Sequence, residues 1–124
     1  MEELRIGEEL KISIGDKEYE IKLLPPTPYD ETVMGMEMME ITKMNDEYQQ
    51  LIEKGNLTEE DKKRALEIAR DTNNKMEKIN LDMLEKIVVG GDKSNFINAV
   101  KKNGLAVYIV PKILNAVKKS VLIQ

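Results

Sequence analysis

Near the start of the chain, apolar and polar residues alternate in two runs. Leu10, Ile12 and Ile14 are separated by Lys11 and Ser13, and Tyr19, Ile21 and Leu23 by Glu20 and Lys22. Between them stands Gly15-Asp16, a favourable two-residue hairpin turn, so the runs predict a β-hairpin over 8–24. That turn sets Ile12 opposite Tyr19 and Leu10 opposite Ile21, and every apolar side chain then lies on one face. An isolated hairpin is marginal in water and needs a surface to lie on. Pro25, Pro26 and Pro28 end the second strand.

The period then changes from two to about 3.6. Thr27-Pro28-Tyr29-Asp30 combines an N-cap, a proline at the first helical position and an early acid, which predicts a helix starting at residue 28. Val33, Met34, Met38, Ile41, Met44, Tyr48, Leu51 and Ile52 form its apolar stripe, and Gly55-Asn56 stops it, giving a helix of about 28–54. Thr58-Glu59-Glu60-Asp61 opens a second long helix, about 58–89, with Ala65, Ile68, Ala69, Thr72, Met76, Ile79, Met83 and Ile87 at helical spacing before Gly90-Gly91. Its later half adds Leu81, Leu84 and Val88, so burial should rise towards that end. The short connection favours antiparallel packing of the two helices.

Ser94 is the expected cap of a short helix carrying Phe96, Ile97 and Val100 and ending near Asn103-Gly104. Leu105–Val110 fits either a buried strand, by its β-branched content, or a helix continuing through Pro111, by the spacing of Leu105, Ile109, Ile113, Ala116, Val117 and Val121. Helix is favoured, with Pro111 as a kink or a new start. The expected fold is α+β, mostly α: an N-terminal β-hairpin packed on an antiparallel helical bundle, in a single domain 1–124 with the hairpin at 8–24 and a helical part at 28–122. Tyr19, Ile21, Met38, Ile41, Tyr48, Met76, Met83, Ile87 and Phe96 are expected among the buried residues.

Composition changes the picture mainly by exclusion. The 124 residues include no Cys and no His, which removes disulfides, thiol nucleophiles, His general bases and the usual zinc sites. No apolar run resembles a signal peptide or reaches the roughly 18 to 20 residues of a membrane span, so a cytosolic protein is expected. Gly90-Gly91-Asp92-Lys93-Ser94 superficially suggests a phosphate loop. However, residue 86 is Lys where the first Walker glycine should stand, and the lead-in reads as helix; a helix stop followed by an N-cap accounts for it. Glu37, Glu40 and Glu59 to Asp61 read as solvated or dipole-favoured acids, and Ser13, Ser94 and Ser120 lie in no nucleophile elbow. No enzyme activity, cofactor, metal or small-molecule substrate is expected.

Two features point to partners instead. Five of the eight methionines fall between Met34 and Met44, and methionine-rich faces adapt to partners. Met36 and Met39 lie off the stripe near Tyr29, and the pattern leaves open whether they pack under the hairpin or form a contact surface. The charge is also segregated: residues 1–92 carry 23 acidic and 13 basic side chains, net −10, while 93–124 carry six Lys and no acid, net +6. Lys101, Lys102, Lys112, Lys118 and Lys119 beside apolar residues suit phosphate, an anionic membrane surface or the acidic body of a neighbouring copy, with a membrane not expected as a partner. Tyr29, Met36, Met39 and these lysines are the candidate partner-binding residues. Nucleic acid is a weaker candidate partner, because no Arg follows Arg70 and no nucleic-acid-binding signature appears.

The hairpin Leu10-Lys-Ile-Ser-Ile-Gly-Asp-Lys-Glu-Tyr-Glu-Ile-Lys-Leu, the prolines behind it and the capped acidic helices together make a layout, over about residues 8–120, that resembles the tail assembly chaperones of long-tailed bacteriophages and prophage elements. The resemblance implies a non-enzymatic protein in the bacterial host cytoplasm that coats the tape measure protein, recruits tail tube subunits and self-associates. It often goes with a longer frameshifted form. A small cytosolic protein-binding adaptor or regulator, and a membrane-surface or DNA-associated protein using the basic segment, are the alternative readings.

Overall fold

The computed structural model describes the backbone of residues 8–122 and the side chains of 9–117. It is α+β and mostly helical: β1 (Glu8–Ile14), β2 (Lys17–Leu23), α1 (Pro28–Glu53), α2 (Glu59–Ile87), β3 (Val88–Gly91), α3 (Lys93–Lys102) and α4 (Ala106–Leu122). β1 and β2 pair antiparallel in the register expected of the two-residue turn, with Ile12 opposite Tyr19 and Leu10 opposite Ile21. Gly15 takes φ +61°, the left-handed conformation that the first turn position of a type II′ hairpin requires.

Both long helices begin with complete capping boxes. The Thr27 hydroxyl accepts the Asp30 N–H and the Asp30 carboxylate accepts the Thr27 N–H; Thr58 and Asp61 repeat this at α2. A ladder of ion pairs fixes the antiparallel register of the helices. Asp30 pairs with Lys86, Glu40 with Lys75, Glu47 with Arg64 and Lys54 with Asp61. Exposed pairs of this kind add little stability singly, but their order leaves one alignment.

The backbone bond to Thr27 holds the Asp30 carboxyl below its usual range, helped by Lys86; the backbone bond to Thr58 does the same for Asp61, and the Lys75 hydrogen bond for Glu40. Carboxyls with depressed folded values stabilise the fold fully above their unfolded value, about 4, and lose that contribution as pH falls through the folded value. Melting temperature is therefore expected to hold between neutrality and about pH 5 and to drop below about pH 4. Asp30→Asn should lower it at neutral pH and shrink the acid drop; an unaltered acid drop in that variant would separate the capping carboxylate from acid lability.

The core lies at the C-terminal end of α2. Ile21 and Leu23 of β2 meet Met83, Leu84, Ile87 and Val88, closed by Phe96, Ile97 and Val100 of α3 and by Ala106, Val110, Ile113 and Val117 of α4. As expected, α2 is buried more completely towards this end. Among the described residues α1 contributes only the partly buried Met34 to the cluster and packs chiefly along α2. Of the nine residues expected to be buried, Ile21, Ile41, Met83, Ile87 and Phe96 are, whereas Tyr19, Met38, Tyr48 and Met76 are half-buried. Tyr19 rests its ring on Phe96, with centroids 5.9 Å apart. Met38, Tyr48 and Met76 belong to the α1–α2 pair, where two helices cannot enclose each other.

Three sequence expectations need correction. The second helix stops at Ile87 rather than continuing to 89, and the helical part 28–122 is interrupted by β3, an unexpected third strand antiparallel to β2. Val88 is extended and faces Leu23, and Leu24 N–H takes the Ile87 carbonyl at 2.8 Å; β-branched Val88-Val89 suits a strand beside β2 better than a last helical turn. Asp92, not Ser94, occupies the N-cap of α3. Its carboxylate reaches across to the Glu20 N–H at 3.0 Å, while its own N–H donates to the Glu20 carbonyl at 2.7 Å. The ambiguous Leu105–Val110 segment is helical from Ala106, with Pro111 inside α4. Pro111 and Val107, whose carbonyl would have received the missing N–H, are both exposed, so water can serve that carbonyl.

Candidate protein-binding surface

α1 buries one stripe against α2 and leaves the other side open, and Tyr29, Met36 and Met39 stand on the open side. They are 74%, 64% and 63% exposed, so the two methionines are surface residues rather than packing under the hairpin. Tyr29 and Met36 are two turns apart and Met39 lies a further turn on, a ridge about 15 Å long. The Thr32 hydroxyl beside it is already used, donating to the Pro28 carbonyl at 2.9 Å.

The ridge continues into a groove. Turning round α1 from Met39 comes Gly35, where an added Cβ would meet no described heavy atom within 4 Å. Beyond it lies a cleft of about 270 Å³ lined by Pro26, Glu31, Met34, Gly35, Met38, Met83 and Leu114. Four methionines of α1 (Met34, Met36, Met38 and Met39) thus form one surface that passes from ridge to cleft across a glycine. Gly35 in mid-helix costs about 1 kcal/mol relative to Ala, and it leaves no side chain between Met39 and the cleft it lines. The cleft escaped the sequence reading because Leu114 and Met83 reach it from other elements; the helical glycine was its one local signal.

The electrostatics around this surface are acidic. α1 carries seven Asp and Glu side chains and the single Lys43, with Asp30, Glu40 and Glu47 paired to Lys86, Lys75 and Arg64 of α2. Glu40, next to Met39, is held ionised by Lys75. The candidate lysines are not gathered here. Lys101 lines a separate groove between α2 and α3 with Glu77, Asp82 and Glu85, Lys102 is exposed in the last turn of α3, and Lys112 borders an apolar groove under the hairpin. Lys118 and Lys119 lie on α4, with side chains outside those described. Lys93 spends its charge within the chain, 3.7 Å from Glu85.

Among the described residues no group of three or more acids could hold a metal ion, and no helix is long and apolar enough to cross a membrane. Comparison with family models, curated proteins and solved structures found no match to this chain.

Proposed function

We propose that this chain is a non-enzymatic protein-binding protein that acts as a tail assembly chaperone of a phage or prophage, holding helical segments of a tape measure protein until tail tube subunits take their place. The observation that carries the binding role is the exposed Tyr29, Met36 and Met39 ridge running into the methionine cleft of α1. Unbranched thioether side chains adapt to different apolar surfaces, which suits a temporary partner along whose length the local sequence varies. An amphipathic helix laid on the ridge would place apolar residues over Met36 and Met39 and into the cleft. The acids of α1 outside the ladder to α2, Glu37 beside Met36 among them, favour a helix with basic neighbours and speed its capture. The identity of the partner rests on the resemblance in layout described above.

Co-expression with the product of a tape measure gene encoded beside this one tests the reading. A complex should survive purification and weaken as salt rises from about 50 to about 500 mM, since exposed charges are screened over about 10 Å at 0.1 M. No tape measure gene among the neighbours, or no complex with its product, would contradict it.

A further inference from the structure

β1 is an outer strand of the sheet, with β2 on one side and no described strand on the other. Ile14 and Lys17 flank the two-residue turn, which makes them a hydrogen-bonded pair; by alternation Leu10 and Ile12 also bond to β2, while Glu9, Lys11 and Ser13 turn their N–H and C=O groups to the free edge. The opposite side of β2 confirms the phase, because Glu20, facing Lys11, directs both backbone groups to Asp92. β1 contains no proline, and the irregularity in pairing falls between β2 and β3. Below the edge the apolar face remains open: Leu10 and Ile12 are half-buried and, with Ile109, Lys112 and Ile113, line a groove of about 190 Å³.

We propose that this edge pairs with β1 of a second copy, antiparallel about Leu10, joining two three-stranded sheets into one of six strands. Charge selects both the occupant and the register. The apolar faces of the two copies lie on one side only when the two-fold axis passes through a residue of β1. Centred on Glu9 or Lys11, the pairing sets like charges opposite each other; centred on Ile12 or Ser13, it gives neither residue an opposite charge. Centred on Leu10, Glu9 of each copy faces Lys11 of the other, the outward groups of both residues make four backbone hydrogen bonds, and the two Leu10 side chains meet at the closer, non-hydrogen-bonded position over the groove. The contact uses neither the ridge of α1 nor the basic segment; self-association as such is also what the resemblance implies, whereas this edge and this register rest on β1 alone. A contact limited to a few residues of two edge strands is expected to fall short of the roughly 1,000 Å² of a stable complex, so the pairing should be reversible.

The test is sedimentation of the full chain over a roughly hundredfold concentration range. Wild type should rise from 14.2 kDa towards twice that mass. Glu9→Lys and Lys11→Glu should each remain monomeric alone, and their equimolar mixture should regain the dimer, because every cross-strand pair is then opposite in charge. Lys11 also contacts Glu18 and Glu20 in its own chain, so Glu9→Pro supplies a variant that leaves Lys11 and those contacts in place while removing an outward N–H together with the Glu9 carboxylate; it should be monomeric with an unchanged circular dichroism spectrum. A wild type that stays monomeric, a dimer that persists in Glu9→Pro, or folded charge variants whose mixture does not associate would each overturn the proposal.

Discussion

Ile87→Ala is expected to cost about 2–5 kcal/mol, a large share of the stability of a domain this size. Ile87 is fully buried, 0% exposed, where the end of α2 meets the sheet and α3. Its backbone also ties the segment after β2 to α2 through the Leu24 N–H. Truncation would leave a cavity that neighbours cannot close, since those neighbours come from four different elements. Urea unfolding checks it, and a loss below about 0.5 kcal/mol, the range of ordinary surface changes, would mean that the core is placed wrongly.

Gly91→Ala should be nearly as damaging although it adds a single methyl group. Gly91 sits at φ +73°, and a Cβ there would lie 2.3 Å from the Glu20 carbonyl oxygen and 3.1 Å from the Ile21 Cα. These are backbone atoms of β2, so relief requires β3 to move away and take the Asp92 clamp with it. The left-handed penalty of about 1–2 kcal/mol combines with this overlap, for an expected loss of at least about 2 kcal/mol. Gly55→Ala is the control: its φ is +83°, but no described heavy atom lies within 4 Å of the added Cβ. It should show the conformational cost alone, and equal losses in the two variants would remove the role assigned to the β2–β3 contact.

Local chemistry explains which parts of the fold were legible in the sequence. The hairpin register followed from Gly15-Asp16 and strict alternation, and the helix starts followed from Thr27 and Thr58 with an acid three residues later, because such signals involve only neighbours in the chain. β3 was illegible because a four-residue strand has too little pattern of its own; Val88-Val89 continued the apolar helix end until β2, some 65 residues earlier, supplied a partner. Ser94 was the expected cap, and Asp92 takes its place because Glu20, far away in the chain, holds both its carboxylate and its N–H. The ridge was legible as two methionines off the stripe, but their exposure depended on whether the hairpin covered them. It lies instead against α3, α4 and the end of α2. The cleft beside the ridge required three elements to meet, which no periodicity reports.

Binding of the tape measure product to a Met36→Glu, Met39→Glu double variant tests the central claim most directly. Both side chains are exposed, so the variant should keep its helical signal and a nearly unchanged melting temperature while the co-purified complex is lost. A folded variant that retains the complex would contradict the account, and a variant that fails to fold would contradict the placement of these methionines on the surface.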